Sequence, residues 1–181
     1  MKAENRVLKE SRIKTPLGEM IAIADQNFLY LLEFTDSPNV KRKIERLKGK
    51  LNCIIEPGQA QPITSIEQEL SSYFSGKLKR FDTPIFMMGT DFQRLAWQEL
   101  RDIPYADTRS YKQQADLLKK PKAVRAIANA NAANQLAIII PCHRVIQNDG
   151  KIGGYAGGVQ RKEWLLEHEL NYYEKYNLLL F

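Results

Sequence analysis

The sequence Ile138-Ile139-Ile140-Pro141-Cys142-His143-Arg144 is the most informative stretch of this chain, and a glycine-rich segment, Gly153-Gly154-Tyr155-Ala156-Gly157-Gly158, follows it closely. The apolar run before Pro141 predicts a short buried strand that ends at the thiol. His143 places a possible base beside Cys142. Glycines permit a close backbone approach, so the second segment predicts a flexible loop that can close over a flat ligand. Together the two segments favour a reactive thiol in a pocket.

The region upstream of this stretch has a helical pattern from residue 90 onward. Each of three predicted helices has a start signal: Thr90 or Asp91 caps a helix that runs to residue 102, Ser110 caps a helix over 111–118, and Pro121 suits the first turn of a helix over 121–131. Only Lys119 and Lys120 separate the last two helices, which predicts a helix-turn-helix.

The first third of the chain alternates between strand and turn signals and then becomes helical. The predicted elements are an antiparallel meander of three strands (7–14, 20–24 and 28–34), a helix over 39–48, a short strand over 51–55 that buries Cys53, and a helix over 65–75 capped by Ser65. The irregular segment 77–89 predicts a boundary. We therefore expect an α+β protein with an N-terminal α/β domain, residues 1–88, that contains an antiparallel sheet, and a mainly helical C-terminal domain, residues 89–181.

Composition excludes several classes of protein. The 181 residues are 44% hydrophobic, which is enough to bury a core. The chain has neither a long uncharged apolar run nor an apolar segment near its N-terminus, so we expect a cytoplasmic protein without a membrane span. Two distant cysteines and two histidines predict no disulfide, no metal site and no cofactor.

Positive charge is concentrated in the predicted helix-turn-helix. The formal net charge is +6, and residues 109–125 contain six basic residues against one acid, Asp116. The third helix offers mainly alanine methyl groups, including Ala123 and Ala126, and a single long cation, Arg125. Such a helix is poorly equipped to read base edges in the major groove, but it suits close approach to a narrow groove with lysines on the phosphates. A plain alanine-rich packing helix with a solvated charged face is the alternative.

The thiol needs activation before it can act as a nucleophile, because an ordinary cysteine with a pKa of about 8.5 is mostly protonated at neutral pH. Cys142 and His143 are neighbours in sequence, so their side chains diverge in a strand and in a helix alike. A bridging water is the economical link between them. Glu169, in a predicted helix over 161–170, could hold the far nitrogen of the imidazole.

These features together resemble the O6-alkylguanine-DNA alkyltransferase family, the methylated-DNA–protein-cysteine methyltransferases. The resemblance covers about residues 90–170. It is carried by Phe92-Gln93, Trp97, Leu100, Ile103-Pro104, Thr108, Ser110-Tyr111, the helix with Arg125, Asn129 and Asn131, Asn134, the PCHRVI run at 141–146, Asp149-Gly150, the GGYAGG loop and residues 162–169. It implies a ribonuclease H-like N-terminal domain and a winged helix-turn-helix-like C-terminal domain that carries the active cysteine.

The resemblance also implies roles for individual residues. Cys142 would take the alkyl group of an O6-alkylguanine, or of an O4-alkylthymine, through a relay of water, His143 and Glu169. Tyr111 would protonate the departing base, and Asn134 would act as a hinge, although an asparagine after a helix is often only a cap or a turn former.

Further implied roles concern DNA and the flipped base. Double-stranded DNA with alkylated bases is the expected partner of a monomer. The DNA contacts would come from Arg125, which would fill the space left by the extruded nucleotide, and from Ala123, Ala126, Lys122, Lys120 and Ser110. The pocket for the base would be lined by Val145, Tyr155, Ala156 and Gly157, partly through backbone groups.

Some positions depart from the family pattern. Ala106 and Lys119 stand where glycines are common, Gln135 follows Asn134 where proline is frequent, and Ala137 and Ala156 stand where some relatives have proline and serine. None of these changes removes a catalytic group. They leave the width of the pocket, and hence the preferred alkyl group, open.

Two other functions fit the same residues. A cysteine hydrolase with a Cys-His-Glu triad would release product over many cycles, although its histidine usually lies far from the nucleophile in sequence. A DNA-binding protein without catalysis would use the helix-turn-helix alone, but that interpretation leaves Cys142 without a task.

Overall fold

The computed structural model describes residues 6–178, and side chains only as far as residue 175. Two compact units divide the chain at residues 86 and 87. We call residues 1–86 the N-terminal unit and residues 87–181 the C-terminal unit. Both contain helices and strands, which makes the protein α+β.

The N-terminal unit is built on a four-stranded sheet with the order β3-β2-β1-β4. Strands β1 (Arg6–Thr15), β2 (Gly18–Ala24) and β3 (Leu29–Phe34) form the predicted antiparallel meander. Strand β4 (Cys53–Pro57) pairs with β1 in parallel, so the prediction of an antiparallel sheet was wrong for this edge. The reason is the connection: helix α1 carries the chain from β3 across to the far edge, and such a crossover returns the next strand in the parallel sense.

Two helices accompany this sheet. Helix α1 (Val40–Leu51) begins one residue after the predicted start and runs three residues past the predicted end, to a cap at Asn52 with the left-handed backbone typical of a helix end. Helix α2 (Gln61–Phe74) begins four residues earlier than expected, at a cap formed by Ala60 with proline in the first turn. Ser65 is therefore not a cap, and its hydroxyl bonds instead to Thr83 Oγ1 at 2.8 Å.

Strands β2 and β3 form the core of the N-terminal unit. Five of the seven residues of β2 and all of β3 are buried, which indicates that both faces of the sheet are covered there. The apolar side chains of α2 that pack here recur at helical spacing and are Ile63, Ile66, Leu70 and Tyr73. One buried ion pair, between Glu33 of β3 and Lys43 of α1, joins a strand to a helix.

The C-terminal unit is mainly helical. Its elements are α3 (Asp91–Arg101), β5 (Arg109–Ser110), α4 (Tyr111–Leu117), α5 (Val124–Ala132), a 3₁₀ turn (Cys142–Arg144), β6 (Val145–Ile146) and α6 (Val159–Leu178). The predicted caps Thr90 and Ser110 both form reciprocal capping boxes, with Gln93 and Gln113. Helix α5 begins at Val124, so Pro121 lies in the preceding turn and not in its first turn as predicted.

Buried polar side chains fix the first three helices of this unit to each other. Asn131 of α5 donates from Nδ2 to Gln114 Oε1 of α4 at 2.8 Å, and Gln114 donates to the carbonyl of Ala96 in α3 at 3.1 Å. Trp97 of α3 is buried and donates from Nε1 to the Ala130 carbonyl at 2.8 Å. Because buried amides are costly unless paired, these bonds specify one arrangement of α3, α4 and α5.

No helix among residues 6–178 combines the length and the apolar character needed to cross a membrane.

Candidate active site

The thiol of Cys142 lies at the start of a 3₁₀ turn and not at the end of a strand. The apolar run before it forms turns, with Ile138 at a φ of 72°. A left-handed backbone at a β-branched residue costs about 1–3 kcal/mol and persists only where packing imposes it. Ile138 is buried, and the carbonyl of Leu136 accepts from the amide of Ile140 at 3.0 Å. The predicted strand was wrong because the run is folded back on itself to present Cys142.

Asn134 binds both the backbone of this turn and the nucleophile. Its Nδ2 donates to the carbonyl of Ile140 at 2.9 Å and to Sγ of Cys142 at 3.2 Å, while its Oδ1 accepts from the amide of Leu136 at 2.9 Å. An N–H that points at sulfur favours the anionic form of a thiol over the neutral form. Asn134 therefore does more than cap or turn the chain, because it touches the sulfur itself.

His143 and Glu169 form a buried pair. His143 Nε2 lies 2.9 Å from Glu169 Oε1, and both side chains are fully buried. Burial lowers the pKa of His143, because the charged imidazolium loses its hydration, and the nearby carboxylate only partly offsets this. His143 Nδ1 is also buried and has no hydrogen-bond partner among the described residues. The imidazole is thus a neutral base with one nitrogen able to accept a proton.

Glu169 is held by two further groups. Arg144 makes a bidentate pair with it, Nε to Oε2 and Nη2 to Oε1, both at 2.9 Å. The amide of Ala106 donates to Oε2 at 3.0 Å, from a residue with a φ of 64°. Burial opposes ionisation of Glu169, but the hydrogen bonds and charges of His143 and Arg144 outweigh it and hold the pKa of the carboxyl well below its usual range.

Lys162 is a residue of this site that the sequence reasoning did not single out. It is fully buried on α6, and its Nζ donates to the carbonyls of Val145 and of Gly154, the latter at 3.2 Å. Burial lowers the pKa of Lys162 to about 8, against an opposing effect of Cys142. Lys162, Leu165 and Glu169 share a helical face at a spacing of three and four residues. Two charges on the buried stripe of a helix are the signal that could have revealed it.

Tyr111 is the first residue of α4 and is half-buried. Burial and the neighbouring Cys142 raise the pKa of its hydroxyl, so the group stays protonated at neutral pH and can donate. Ser110 before it is buried, and its Oγ accepts from the amide of Gln113 and bonds to Asn148 Oδ1 at 3.3 Å. The hydroxyl of Ser110 is therefore used within the protein, as the cap of helix α4.

The residues predicted to line the base pocket lie around the same turn. Val145 and Gly157 are buried, and Tyr155 and Ala156 are half-buried. The ring of Tyr155 meets that of His143 edge to face, with centroids 6.5 Å apart. Gly153, with a φ of 73°, gives the loop a backbone conformation that few other residues adopt.

Apart from Ser110, the residues predicted to contact DNA lie on α5 and the turn before it. Lys120, Lys122, Arg125 and Ala126 are exposed, and Ala123 is half-buried. Exposed cations on one short helix and the turn before it suit an anionic partner.

His168 and Trp164 belong to α6 and form an aromatic stack. The two rings lie 4.7 Å apart and nearly parallel, and Tyr172 meets His168 from the next turn. His168 is therefore a buried packing residue of α6.

The chemistry available to the site follows from these groups. It offers one soft nucleophile, a buried neutral base, an ammonium and a phenol that stays protonated. In the described part of the chain, no three His, Cys, Asp or Glu side chains are grouped so as to hold a metal ion.

Comparison with known proteins identifies relatives that share both sequence and fold. The family model for the DNA-binding domain of 6-O-methylguanine DNA methyltransferase matches residues 91–171. A methylated-DNA–protein-cysteine methyltransferase from Methanosarcina barkeri is 41% identical over 162 residues, which cover 88% of this chain and 95% of the relative.

Two crystal structures of the Mycobacterium tuberculosis protein are also similar. The O6-methylguanine methyltransferase of that organism has a TM-score of 0.77 and 36% identity, covering 91% of this chain and 93% of its own. A second structure, with DNA bound, has a TM-score of 0.76 and 35% identity, over 92% and 94% of the two chains. Identity of this extent over nearly the whole length shows common descent, and the chain belongs to the 6-O-methylguanine DNA methyltransferase family.

Proposed function

We propose that this protein repairs alkylated DNA by moving the alkyl group from O6 of guanine to Sγ of Cys142. The observation that supports this most directly is the contact of Asn134 Nδ2 with Sγ, beside a neutral imidazole that is held by Glu169. The relatives are named as methylated-DNA–protein-cysteine methyltransferases, and a similar protein has been crystallised with DNA.

The transfer can be written with every proton accounted for. The thiol of Cys142 loses its proton to Nδ1 of His143, through a bridging water. The thiolate then attacks the alkyl carbon in line, the carbon–oxygen bond breaks, and its electron pair stays on the guanine. Tyr111 gives its hydroxyl proton to the purine and regains the proton that left the thiol. The products are guanine and a thioether.

Each molecule acts once under this proposal. A thioether has no carbonyl that water can attack, unlike the thioester of a hydrolase, so Cys142 is not regenerated. The protein is at once catalyst and acceptor, and the same chemistry would apply to O4-alkylthymine if the pocket admits it.

The base must leave the DNA stack to reach a buried sulfur. Flipping costs a few kcal/mol and is easier for a damaged, weakly paired base. Backbone groups of Val145, Tyr155, Ala156 and Gly157 would receive the purine, while Arg125 of α5 would enter the space that it leaves. Lys120, Lys122, Ala123, Ala126 and Ser110 would lie along the DNA.

The proposed organisation assigns the DNA chemistry to one part of the chain. Residues 89–181 would form a winged helix-turn-helix-like domain, and residues 1–88 a ribonuclease H-like domain. The protein would act as a cytoplasmic monomer on double-stranded DNA that contains alkylated bases.

Stoichiometry and intact mass test this proposal. When the protein is mixed with excess O6-methylguanine duplex, transferred methyl should stop at one per protein, and the peptide with Cys142 should gain the mass of one CH₂. Cys142→Ala should abolish transfer and still bind DNA, whereas Cys53→Ser, the matched control, should react fully. Continued turnover, above all on ester substrates, would instead support the hydrolase.

Arg125→Ala tests the flipping step. The side chain is exposed, so the variant should fold normally. It should slow reaction with duplex DNA more than reaction with the free O6-alkylguanine base, since only the duplex has a stack to open. Equal slowing of both reactions would remove this role from Arg125.

A further inference from the structure

We propose that Arg144 is a positioning residue of the alkyl-transfer site, which pairs with the ionised Glu169, balances its charge and thereby fixes His143 as a neutral base with its proton on Nε2. This rests on the proposed function, because the base serves the thiol of Cys142. Arg144 is buried, with a side-chain exposure of 7%, and its guanidinium forms two parallel hydrogen bonds with the carboxylate of Glu169.

The hydrogen bonds to Glu169 determine which nitrogen of His143 carries the proton. Oε1 accepts from Arg144 Nη2 and Oε2 from Arg144 Nε, while Oε2 also accepts from the amide of Ala106. An ionised carboxylate can only accept, so His143 Nε2, 2.9 Å from Oε1, must be the donor. Nδ1 is left as the basic atom, and it is the buried nitrogen without a partner among the described residues.

Arg144 also offsets the charge that would otherwise protonate His143. The groups that act on His143 are Glu169 and Lys162 from α6 and Arg144 from its own turn, and the glycine loop adds the Tyr155 ring. A lone buried carboxylate beside an imidazole favours the imidazolium, which has no proton-accepting nitrogen. Because the charge of Glu169 is shared with Arg144, burial prevails and the imidazole stays neutral.

The loop between α3 and β5 holds Arg144 in place. Nη1 donates to the carbonyl of Ile103 at 2.7 Å, and the guanidinium lies over the ring of Tyr105, 5.7 Å from its centroid. The same loop supplies the amide of Ala106 to Glu169. The buried guanidinium of Arg144 is therefore held in one orientation by its neighbours, whereas the side chains of an exposed ion pair remain free to move.

Nuclear magnetic resonance of the two histidines tests the proposal on the free protein. The chain has only His143 and His168, so their ring signals separate readily. At pH 7, the nitrogen shifts of His143 should report a neutral ring with the proton on Nε2. In Arg144→Met the midpoint of its titration should rise by about one pH unit or more, a tenfold gain in proton affinity. Arg144→Lys keeps the charge and should titrate close to the wild type, and His168 serves as an internal control.

A doubly protonated His143 at pH 7 in the wild type, a proton on Nδ1, or an unchanged midpoint in Arg144→Met would each overturn the proposal. If Arg144→Met does not fold, Arg144→Gln replaces it, since glutamine keeps a donor for Glu169 but removes the charge. These measurements need no DNA, so their outcome is separate from whether alkyl transfer occurs.

The rate of single-turnover transfer gives a second readout. Transfer should slow as pH falls through the titration of His143, and in Arg144→Met this decline should move to higher pH while the rate at alkaline pH approaches that of the wild type. A purely structural role would lower the rate at every pH by a similar factor, and that result would count against the proposal.

Discussion

Glu169 shows how a single buried carboxylate can serve two neighbours. It accepts from His143 and from Arg144 at once, and also from the amide of Ala106. Breaking a buried ion pair by removing one partner is far more costly than replacing both. Glu169 therefore contributes to stability as well as to the chemistry of the thiol.

Glu169→Gln should reduce the free energy of unfolding at neutral pH by about 3–5 kcal/mol, because it leaves Arg144 buried without a counter-ion. The folded pKa of Glu169 lies below its ordinary value of 4.5, so its stabilising effect is complete above that value and is lost as pH falls further. The difference between wild type and variant should therefore shrink below about pH 4.5. Urea unfolding at several pH values measures it.

Glu167→Gln is the matched control, since Glu167 is exposed on the same helix. It should change stability very little at any pH. A loss in Glu169→Gln that is equally large in acid and at neutral pH would contradict the ionised state of the carboxyl.

At the scale of single elements, the end of α4 carries an unusual residue. The amide of Lys120 donates to the carbonyl of Ala115 and that of Lys119 to Asp116, both at 2.9 Å, which is the Schellman pattern. Lys119 has the left-handed φ of 55° that this pattern requires at its C′ position. The sequence places a lysine where glycine is the residue best suited to that conformation, and Ala106, with a φ of 64°, is a second such case.

Lys119→Gly should raise the free energy of unfolding by roughly 0.5–1 kcal/mol, because relief of the left-handed strain exceeds the extra chain entropy of glycine. Lys119→Ala removes the same charge but keeps the strain, so it should give no such gain. Thermal unfolding of both variants separates backbone from charge. A gain in both would assign the effect to charge repulsion among the lysines.

Elements with local signals were predictable from the sequence, and those that depend on distant contacts were not. Capping boxes at Thr90 and Ser110 involve residues three apart, so α3 and α4 were predicted with nearly correct ends. The turn at Ile138 is imposed by packing and by Asn134, and a run of isoleucines does not indicate a left-handed backbone. The parallel pairing of β4 depends on where α1 returns the chain.

In the candidate site, too, the residues with a local sequence signal were predictable and the contacts between distant residues were not. Cys142, His143 and Glu169 were found from a motif and a family resemblance. Arg144 pairs with Glu169, and Lys162 donates to the carbonyls of Val145 and Gly154. These partners are separated by eight or more residues, and no local sequence pattern specifies such pairings.

At the scale of the whole molecule, charge is unevenly placed. The chain has a formal charge of +6, and four basic residues between the end of α4 and the start of α5 are exposed, namely Lys119, Lys120, Lys122 and Arg125. Each cation that binds a phosphate releases counterions, so DNA affinity should fall as salt is raised.

The double variant Lys120→Gln with Lys122→Gln should lower the slope of log affinity against log salt by about 0.9 for each phosphate that the protein no longer neutralises. Lys41→Gln with Lys50→Gln makes the same change in net charge on exposed positions of α1 and should leave the slope unchanged. Fluorescence anisotropy with a labelled duplex at several salt concentrations measures both. Equal slopes in the two double variants would mean that overall charge, and not this surface, attracts the DNA.

The placement of the tryptophans gives the protein a built-in optical reporter. Both of them, Trp97 in the core of the C-terminal unit and Trp164 stacked on His168, belong to the same half of the chain, whereas residues 1–86 have none. Fluorescence excited at a wavelength that only tryptophan absorbs will therefore report the unfolding of the C-terminal unit and not that of residues 1–86. Tryptophan emission and circular dichroism, recorded side by side during unfolding, can thus show without any label whether the two units unfold at the same point or one after the other.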